Sequence, residues 1–369
     1  EIGTPGRISS LSCSICEEDR RAIPLVKRLR LDGQAYMVQL PTFVAPGCSG
    51  PGVRRLSAMR NSSEQRPVLR FGVVADVQYA DKDDLVKEKN REDGSKRVMF
   101  YRSALDKLRR AMEDFNKRDV EFVVQLGDLI DGNVSENLSE KDLGSALAAT
   151  EELDVNLYHV IGNHCRSVSL PHLLAELHLE KGFYSEVVAK GWRVIVLNAA
   201  DIFRGAVDAN HADRSALKAM CDEYNTVDVL WAGGIGDDQM QWFDNQLRSC
   251  LEQRQRAIIC SHYPTWDKAA RDTHTIVNAQ AVLEILDRYP GVVVAWFSGH
   301  DHLGGYSIRK GVHHVTFEAI VESREDTAHG FVEIFEDGSI SIEGLGAVSS
   351  RELRVDEATG APAVSAETS

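Results

Sequence analysis

The chain of 369 residues contains no uninterrupted apolar run approaching the roughly 20 residues a helix needs to cross a bilayer. A helical membrane span is therefore not expected, and the composition reads as that of a soluble, cytoplasmic protein. Positive charge is also in short supply: 42 Lys and Arg stand against 56 Asp and Glu, a formal net charge of -14. That surplus disfavours non-specific binding to nucleic acid or to an anionic membrane, so neither is expected as a partner. A small anionic substrate is not excluded, because bound divalent cations reverse the local potential. Cysteines are few and irregularly placed, seven in all, an odd number with no framework spacing. Cys260 lies in an apolar strand-like run and Cys250 on a helix-like stretch, as suits reduced, buried thiols in a reducing compartment. Cys13 and Cys16 form a CxxC, but no second pair follows at zinc-site spacing. Internal repeats at solenoid periods are missing too, which rules out an array of stacked units.

Residues 1–68 stand apart from the rest. They hold six of the ten prolines and 10 Lys and Arg against 6 Asp and Glu. No amphipathic period runs through them, so an extended or poorly ordered arm is expected. Arg- and Ser-containing leaders of this kind sometimes direct a chain to an organelle, although six acidic residues argue against that here. The chain opens at Glu1 rather than Met, so the natural amino terminus is expected to be processed or to lie elsewhere. Asn133-Val134-Ser135 and Asn137-Leu138-Ser139 match the glycosylation sequon, which matters only in a secreted chain.

From Leu69 the pattern becomes regular. Residues 70–75, 121–126, 157–161, 192–197, 257–261 and 292–298 are short, apolar and rich in Val or Ile, which predicts buried strands. Helical patterns separate them. Tyr101, Leu105, Leu108, Met112 and Phe115 share one apolar face, as do Met240, Phe243, Leu247 and Leu251, with Asp237 as the expected N-cap. Residues 312–317, 330–335 and 339–343 add late strands, with a hairpin turn at Asp337-Gly338. This order predicts a layered α/β domain over residues 69–354 and a disordered tail over 355–369.

Five segments carry candidate chemistry: Asp76-Val77-Gln78, Gly127-Asp128-Leu129-Ile130-Asp131, Gly162-Asn163-His164, His262-Tyr263-Pro264 and Gly299-His300-Asp301-His302. Most follow apolar runs, and chemistry on open α/β sheets collects at the carboxyl ends of strands. Taken singly, each has an ordinary reading as a solvated turn, a capping aspartate or a structurally bonded histidine. Jointly they offer seven good ligands for hard divalent metals and one spare histidine, enough for two ions. Asp76 and Gln78 stand two apart on extended backbone and share a side, as do His300 and His302. His164 is either a ligand or a proton donor, and Asp131 is placed to orient a histidine. His172 and His178 fall on helix-like stretches and look incidental.

This succession of D-x-Q, GDxxD, GNH, H and GHxH, running from Asp76 to His302, resembles the calcineurin-like metallophosphoesterases. The likeness is greatest to their manganese-dependent ADP-ribose/CDP-alcohol diphosphatase branch, which has Gln in the first motif where most relatives have His. Phe71–Asp81, Tyr101-Arg102-Ser103, the stretch LGDLIDG, the Gly233-Gly234, Gln239 and Trp242 segment and GHDHLGGY are similar to that branch. The resemblance implies a layered β-sandwich of two mixed sheets flanked by helices. It implies one metal ion on Asp76, Gln78 and His302, another on Asn163, His262 and His300, and Asp128 bridging both. Four oxygen donors with three imidazoles suit Mn2+, with Mg2+ as the alternative.

The activity implied is hydrolysis of the diphosphate bond of ADP-ribose, CDP-alcohols or related nucleoside diphosphate conjugates by metal-hydroxide attack. His164, oriented by Asp131, would protonate the leaving oxygen. Two departures from the family pattern stand out. Cys165 occupies a place often held by Glu or Asp, and residues 265–278 differ from the branch. A phosphodiesterase or phosphomonoesterase on the same scaffold is the alternative. A protein phosphatase fits less well, because Gly132 stands where those relatives carry Arg after GDxxD. A non-catalytic scaffold would be expected to lack several of these residues, and this chain keeps all eight.

Overall fold

The computed structural model describes residues 66–90, 94–324 and 327–355, with three short strands outside that span. Two of these, Val26–Leu31 (β1) and Gln34–Gln39 (β2), pair antiparallel within an amino-terminal unit of their own. The rest of the arm expected over 1–68, apart from residues 66–68, and all of the tail expected over 355–369 except Val355 and Pro362–Val364, lie outside the described residues.

In the main unit the apolar runs become strands. They are Leu69–Val74 (β3), Leu85–Asn90 (β4), Lys96–Met99 (β5), Phe122–Gln125 (β6), Asn156–His159 (β7), Tyr184–Ala189 (β8) and Trp192–Leu197 (β9). Arg256–Ser261 (β10), Val293–Ser298 (β11), Gly305–Arg309 (β12), Val312–Thr316 (β13), Ala328–Ile334 (β14), Ile340–Gly346 (β15), Arg351–Val355 (β16) and Pro362–Val364 (β17) follow. The helices are Ala104–Lys117 (α1), Glu136–Ala148 (α2), Leu170–Glu176 (α3), His211–Glu223 (α4), Asp237–Glu252 (α5) and Ala279–Arg288 (α6).

One sheet has the order β17-β16-β15-β14-β3-β6-β7 and the other β12-β13-β11-β10-β9-β8. In the first, β3, β6 and β7 run parallel and β14 joins β3 antiparallel. In the second, β9, β10, β11 and β13 run parallel between antiparallel edges β8 and β12. The central strands read as continuous apolar runs because both faces are covered. On β3, Phe71 points to the opposite sheet, its ring 6.2 Å from that of Phe297 on β11. Gly72 faces the other way, where a Cβ would fall 2.5 Å from the Phe115 ring of α1. The second sheet divides likewise: Val194, Val196, Ile258 and Phe297 share a core with the first sheet. Ile195, Leu197, Ile259 and Trp296 pack with Phe243, Leu247 and Cys250 of α5 and Val282 and Leu286 of α6. The mixed two-sheet sandwich with flanking helices is thus the observed architecture.

Three differences from the sequence expectation have physical causes. The N-cap of α5 is Gly236, and Asp237 sits in the first turn beside Asp238, where both carboxylates face the positive helix end. The β4–β5 hairpin carries Lys87, Glu88, Lys96 and Arg97, so no apolar run announces it. Edge strands β8 and β12 are only partly buried and lack the continuous apolar signature. Among the described residues no helix is long and apolar enough to cross a membrane.

Burial also sets an acid sensitivity. His313 and His314 on β13 and His329 on β14 are at most 2% exposed. Desolvation pushes them down to about 4, about 3 and about 4, respectively. Below the unfolded value of about 6.5 the unfolded chain takes up protons that the native chain refuses, so stability falls as pH drops from about 6.5 toward 4. Each histidine contributes up to about 1.4 kcal/mol per pH unit in that window. Urea unfolding at pH 7 and pH 5 is expected to show the loss, and His314→Phe is expected to make it shallower. An equal loss in that variant would refute the assignment to His314.

Candidate metal centre

Each motif begins where a parallel strand ends. Asp76 and Gln78 follow β3, Asp128 follows β6, and Asn163 and His164 follow β7. His262 follows β10, and His300 and His302 follow β11. Three motifs therefore come from one sheet and two from the other, and the carboxyl ends of both sheets meet. The loops continue the pairing: Gln78 N donates to Asp128 O at 2.8 Å and Gly299 N to His262 O at 3.0 Å. Gly127, at φ +98°, makes room for the His262 ring; a Cβ there would lie 2.3 Å from Nδ1. At Gly162 a Cβ would lie 2.1 Å from Asp128 Oδ1. These motif glycines are seats for ligand-type side chains from other motifs. Asp76, Gln78, Asp128 and His300 themselves have positive φ, at 48°, 44°, 52° and 67°, so the extended backbone expected at Asp76, Gln78 and His300 is replaced by left-handed turns. Such backbone costs free energy, and surrounding structure must hold it in place.

The polar atoms converge. Ligand atoms of Asp128, His262 and His300 all lie within 4.8 Å of one another, with all three residues buried. His262 Nε2 is 3.1 Å from Asp128 Oδ2, and His300 Nδ1 is 3.3 Å from His262 Nε2. Gln78 Nε2 donates to Asp128 Oδ2 at 3.1 Å, and His302 Nε2 is 3.4 Å from Asp76 Oδ1. His262 Nδ1 is 2.9 Å from Leu126 O, which turns Nε2 toward the centre. Gln78 Oε1, Asn163 Oδ1 and His300 Nε2 are buried without a hydrogen-bond partner among the described residues. An orphaned buried acceptor is costly. Here the orphans are two hard oxygens and an imidazole nitrogen beside two carboxylates, a donor set that fits hard divalent cations.

Electrostatics agree. Burial alone would push the Asp128 carboxyl up, but His262 and His164 outweigh it and hold the group well below the usual range. Burial, then the neighbouring His262 and His274, drives His300 far down. Burial opposes protonation of His302 as well, yet hydrogen bonds to Asp76 and Glu322 push it up to about 9. Bound cations replace protons in such clusters. Cys165 is buried, and desolvation, then Asp128, pushes its thiol up to about 11. It is a packed thiol, not a reactive thiolate.

His164 sits at the rim, its side chain 39% exposed. Its Nδ1 is 2.7 Å from the Asp131 main-chain carbonyl and 3.3 Å from the Asp131 carboxylate, which itself pairs closely with Lys82. The expected orientation of His164 by Asp131 thus runs chiefly through the backbone. A cleft of about 780 Å³ opens over the centre, lined by Gln78, Asp128, Asn163, His164, His300 and His302. Its remaining wall includes Lys87, Arg97, Trp231, Arg271 and His274, none of them singled out from sequence. Glu322 was also missed: it is 2% exposed and accepts from His302 Nδ1 at 2.8 Å. The available signal was a carboxylate ending the apolar run Ala319-Ile320-Val321, the same pattern that marks Asp128.

Comparison with known proteins agrees with this geometry. Residues 69–304 match the calcineurin-like phosphoesterase family. A manganese-dependent ADP-ribose/CDP-alcohol diphosphatase of Arabidopsis thaliana is 30% identical, over 79% of this chain and 99% of its own. The human protein of that name is 29% identical, over 80% of this chain and 94% of its own. The crystal structure of a dimetal phosphatase from Danio rerio superposes with a TM-score of 0.69 at 28% identity, covering 78% of this chain and 99% of that one. With converging strand ends, orphaned hard donors and this likeness together, the chain belongs to the calcineurin-like phosphoesterases.

Proposed function

We propose that the protein hydrolyses the diphosphate bond of nucleoside diphosphate conjugates, ADP-ribose and CDP-alcohols among them, with two divalent cations, manganese foremost. The observation that carries this is the convergence of ligand-type side chains from five strand ends: Gln78, Asp128, Asn163, His300 and His302 line one cleft, His262 meets Asp128 and Asp76 meets His302. Asp76, Gln78 and His302 would hold one ion, Asn163, His262 and His300 the other, and Asp128 would serve both. When bound, such a pair polarises phosphoryl oxygens and supplies a water of lowered pKa.

The chain's own residues do the remainder. The orphaned Gln78 Oε1 and Asn163 Oδ1 are acceptors that no protein donor occupies, which leaves both free to serve as ligands. His164, fixed at Nδ1 by the Asp131 carbonyl, keeps Nε2 to deliver a proton to the departing phosphate oxygen. Lys87 lines the same cleft and supplies positive charge beside the second phosphate. Trp231, 38% exposed with His274 at 5.8 Å, offers a flat apolar surface for the nucleobase. ADP-ribose and water would yield AMP and ribose 5-phosphate; CDP-alcohols would yield CMP and the phosphoalcohol. A reducing, cytoplasmic setting suits the free, buried Cys165, Cys221, Cys250 and Cys260.

The test is a panel of ADP-ribose, CDP-choline, cyclic nucleotides and p-nitrophenyl phosphate with manganese or magnesium. Manganese is expected to support release of AMP and CMP at rates above those on the other compounds. Faster turnover of cyclic nucleotides or p-nitrophenyl phosphate than of both diphosphates would move the protein to the esterases.

A further inference from the structure

We infer that Glu322 is the positioning residue for one metal ion, locking His302 so that a single ring nitrogen faces Asp76. Glu322 is 2% exposed on the segment after β13. A buried carboxylate must be paired and hydrogen-bonded, and the partners of Glu322 include Arg97 and His302. Arg97, from the β4–β5 hairpin, grips it with both prongs, Nε to Oε2 at 2.9 Å and Nη2 to Oε1 at 2.5 Å. His302 Nδ1 approaches Oε1 at 2.8 Å, and the opposite nitrogen, Nε2, lies 3.4 Å from Asp76 Oδ1. With Nδ1 donating to a carboxylate, the imidazole keeps the lone pair of Nε2 for the centre, and its basicity rises.

The segment carrying Glu322 is tied to the ligand-bearing backbone itself. Ala319 N donates to His302 O at 3.2 Å, Ile320 N to Ala75 O at 3.1 Å and Val321 N to Asp76 O at 3.1 Å. From α1, Lys107 Nζ donates to Ser323 O at 2.6 Å. The backbone that carries Glu322 is thus hydrogen-bonded to the backbone of both Asp76 and His302. A buried ion pair with Arg97 is weak support for stability alone. The third contact, to the ring of His302, is what a merely structural pair would lack. His302 is the imidazole of the ion shared with Asp76 and Gln78, so only that ion should respond. Arg97 lines the cleft as well, while Glu322 itself stays buried.

The inference rests on the two-ion reading of the centre and not on the identity of the substrate. Calorimetric titration of manganese into the full chain tests it, alongside Glu322→Ala and Glu322→Gln. The unaltered protein is expected to bind two ions. Glu322→Ala is expected to weaken one of them by about 10–100-fold and leave the other unchanged. Glu322→Gln still accepts a hydrogen bond from Nδ1 but lacks the charge, and is expected to weaken the same ion by about tenfold. Manganese EPR of both variants at sub-saturating metal should lose the coupled-pair signal in favour of an isolated ion, which a loss of stability alone would not produce. Should Glu322→Ala fail to fold, Glu322→Gln decides. Two unchanged affinities in whichever variant decides overturn the role of Glu322. Fewer than two ions in the unaltered protein overturn the two-ion reading instead.

Discussion

Replacing Asp128 with asparagine is expected to lower manganese-dependent turnover by about 10²–10⁴-fold while leaving the chain folded. The estimate follows from the roughly 3–5 kcal/mol of transition-state charge stabilisation that one preorganised electrostatic group supplies, at about 1.4 kcal/mol per tenfold in rate. Asp128 is 1% exposed, and its two oxygens are already engaged from three directions. Oδ1 accepts from the His164 amide at 2.8 Å, and Oδ2 meets Gln78 Nε2 at 3.1 Å and His262 Nε2 at 3.1 Å. Asparagine keeps the shape and the contact with the His164 amide. It loses the charge that would offset bound cations, and its amide would point donors at His262 and Gln78. Steady-state rates with saturating manganese, together with bound-metal analysis, measure this. Turnover within tenfold of the unaltered protein at normal metal content would remove Asp128 from the shared position.

Substituting His164 with asparagine separates proton delivery from metal binding. Its ring is fixed by the Asp131 carbonyl at 2.7 Å and lies at the cleft rim, while its main-chain amide, untouched by substitution, holds Asp128. Metal content is therefore expected to stay at two ions. General acid catalysis contributes about 10²–10⁴-fold where the leaving group is poor. A phosphate leaving group is already stabilised, so the loss on ADP-ribose is expected to fall at the low end of that range. Across aryl phosphoesters of rising phenol pKa the deficit should grow. A deficit independent of the leaving group would show that His164 positions substrate rather than supplying a proton.

Much of the site was legible because its motifs end strands. Val73 and Val74 run into Asp76, Val123 and Val124 into Asp128, Ile258 and Ile259 into His262, and Trp296 and Phe297 into His300. Apolar runs closed by metal-loving side chains are visible without coordinates, since burial on both faces demands the first and solvent-edge chemistry the second. The late hairpin of β14 and β15 was equally visible through Asp337-Gly338, where Gly338 takes φ +90°. The β4–β5 hairpin was not, because its residues are charged and Arg97 finds its partner, Glu322, 225 positions away.

Local sequence thus determined which side chains were available, where strands stop and which hard-donor chemistry their ends could carry. Only the tertiary structure decided that β3, β6 and β7 belong to one sheet and β10 and β11 to the other, so that their ends face across a single cleft. It also decided that His164 is steered by the Asp131 carbonyl and that Glu322 stands behind His302. Those are contacts between groups far apart in the chain, and no period or spacing encodes them. They form because burying the two sheet faces brings polar strand ends together, where each must find a partner or a cation.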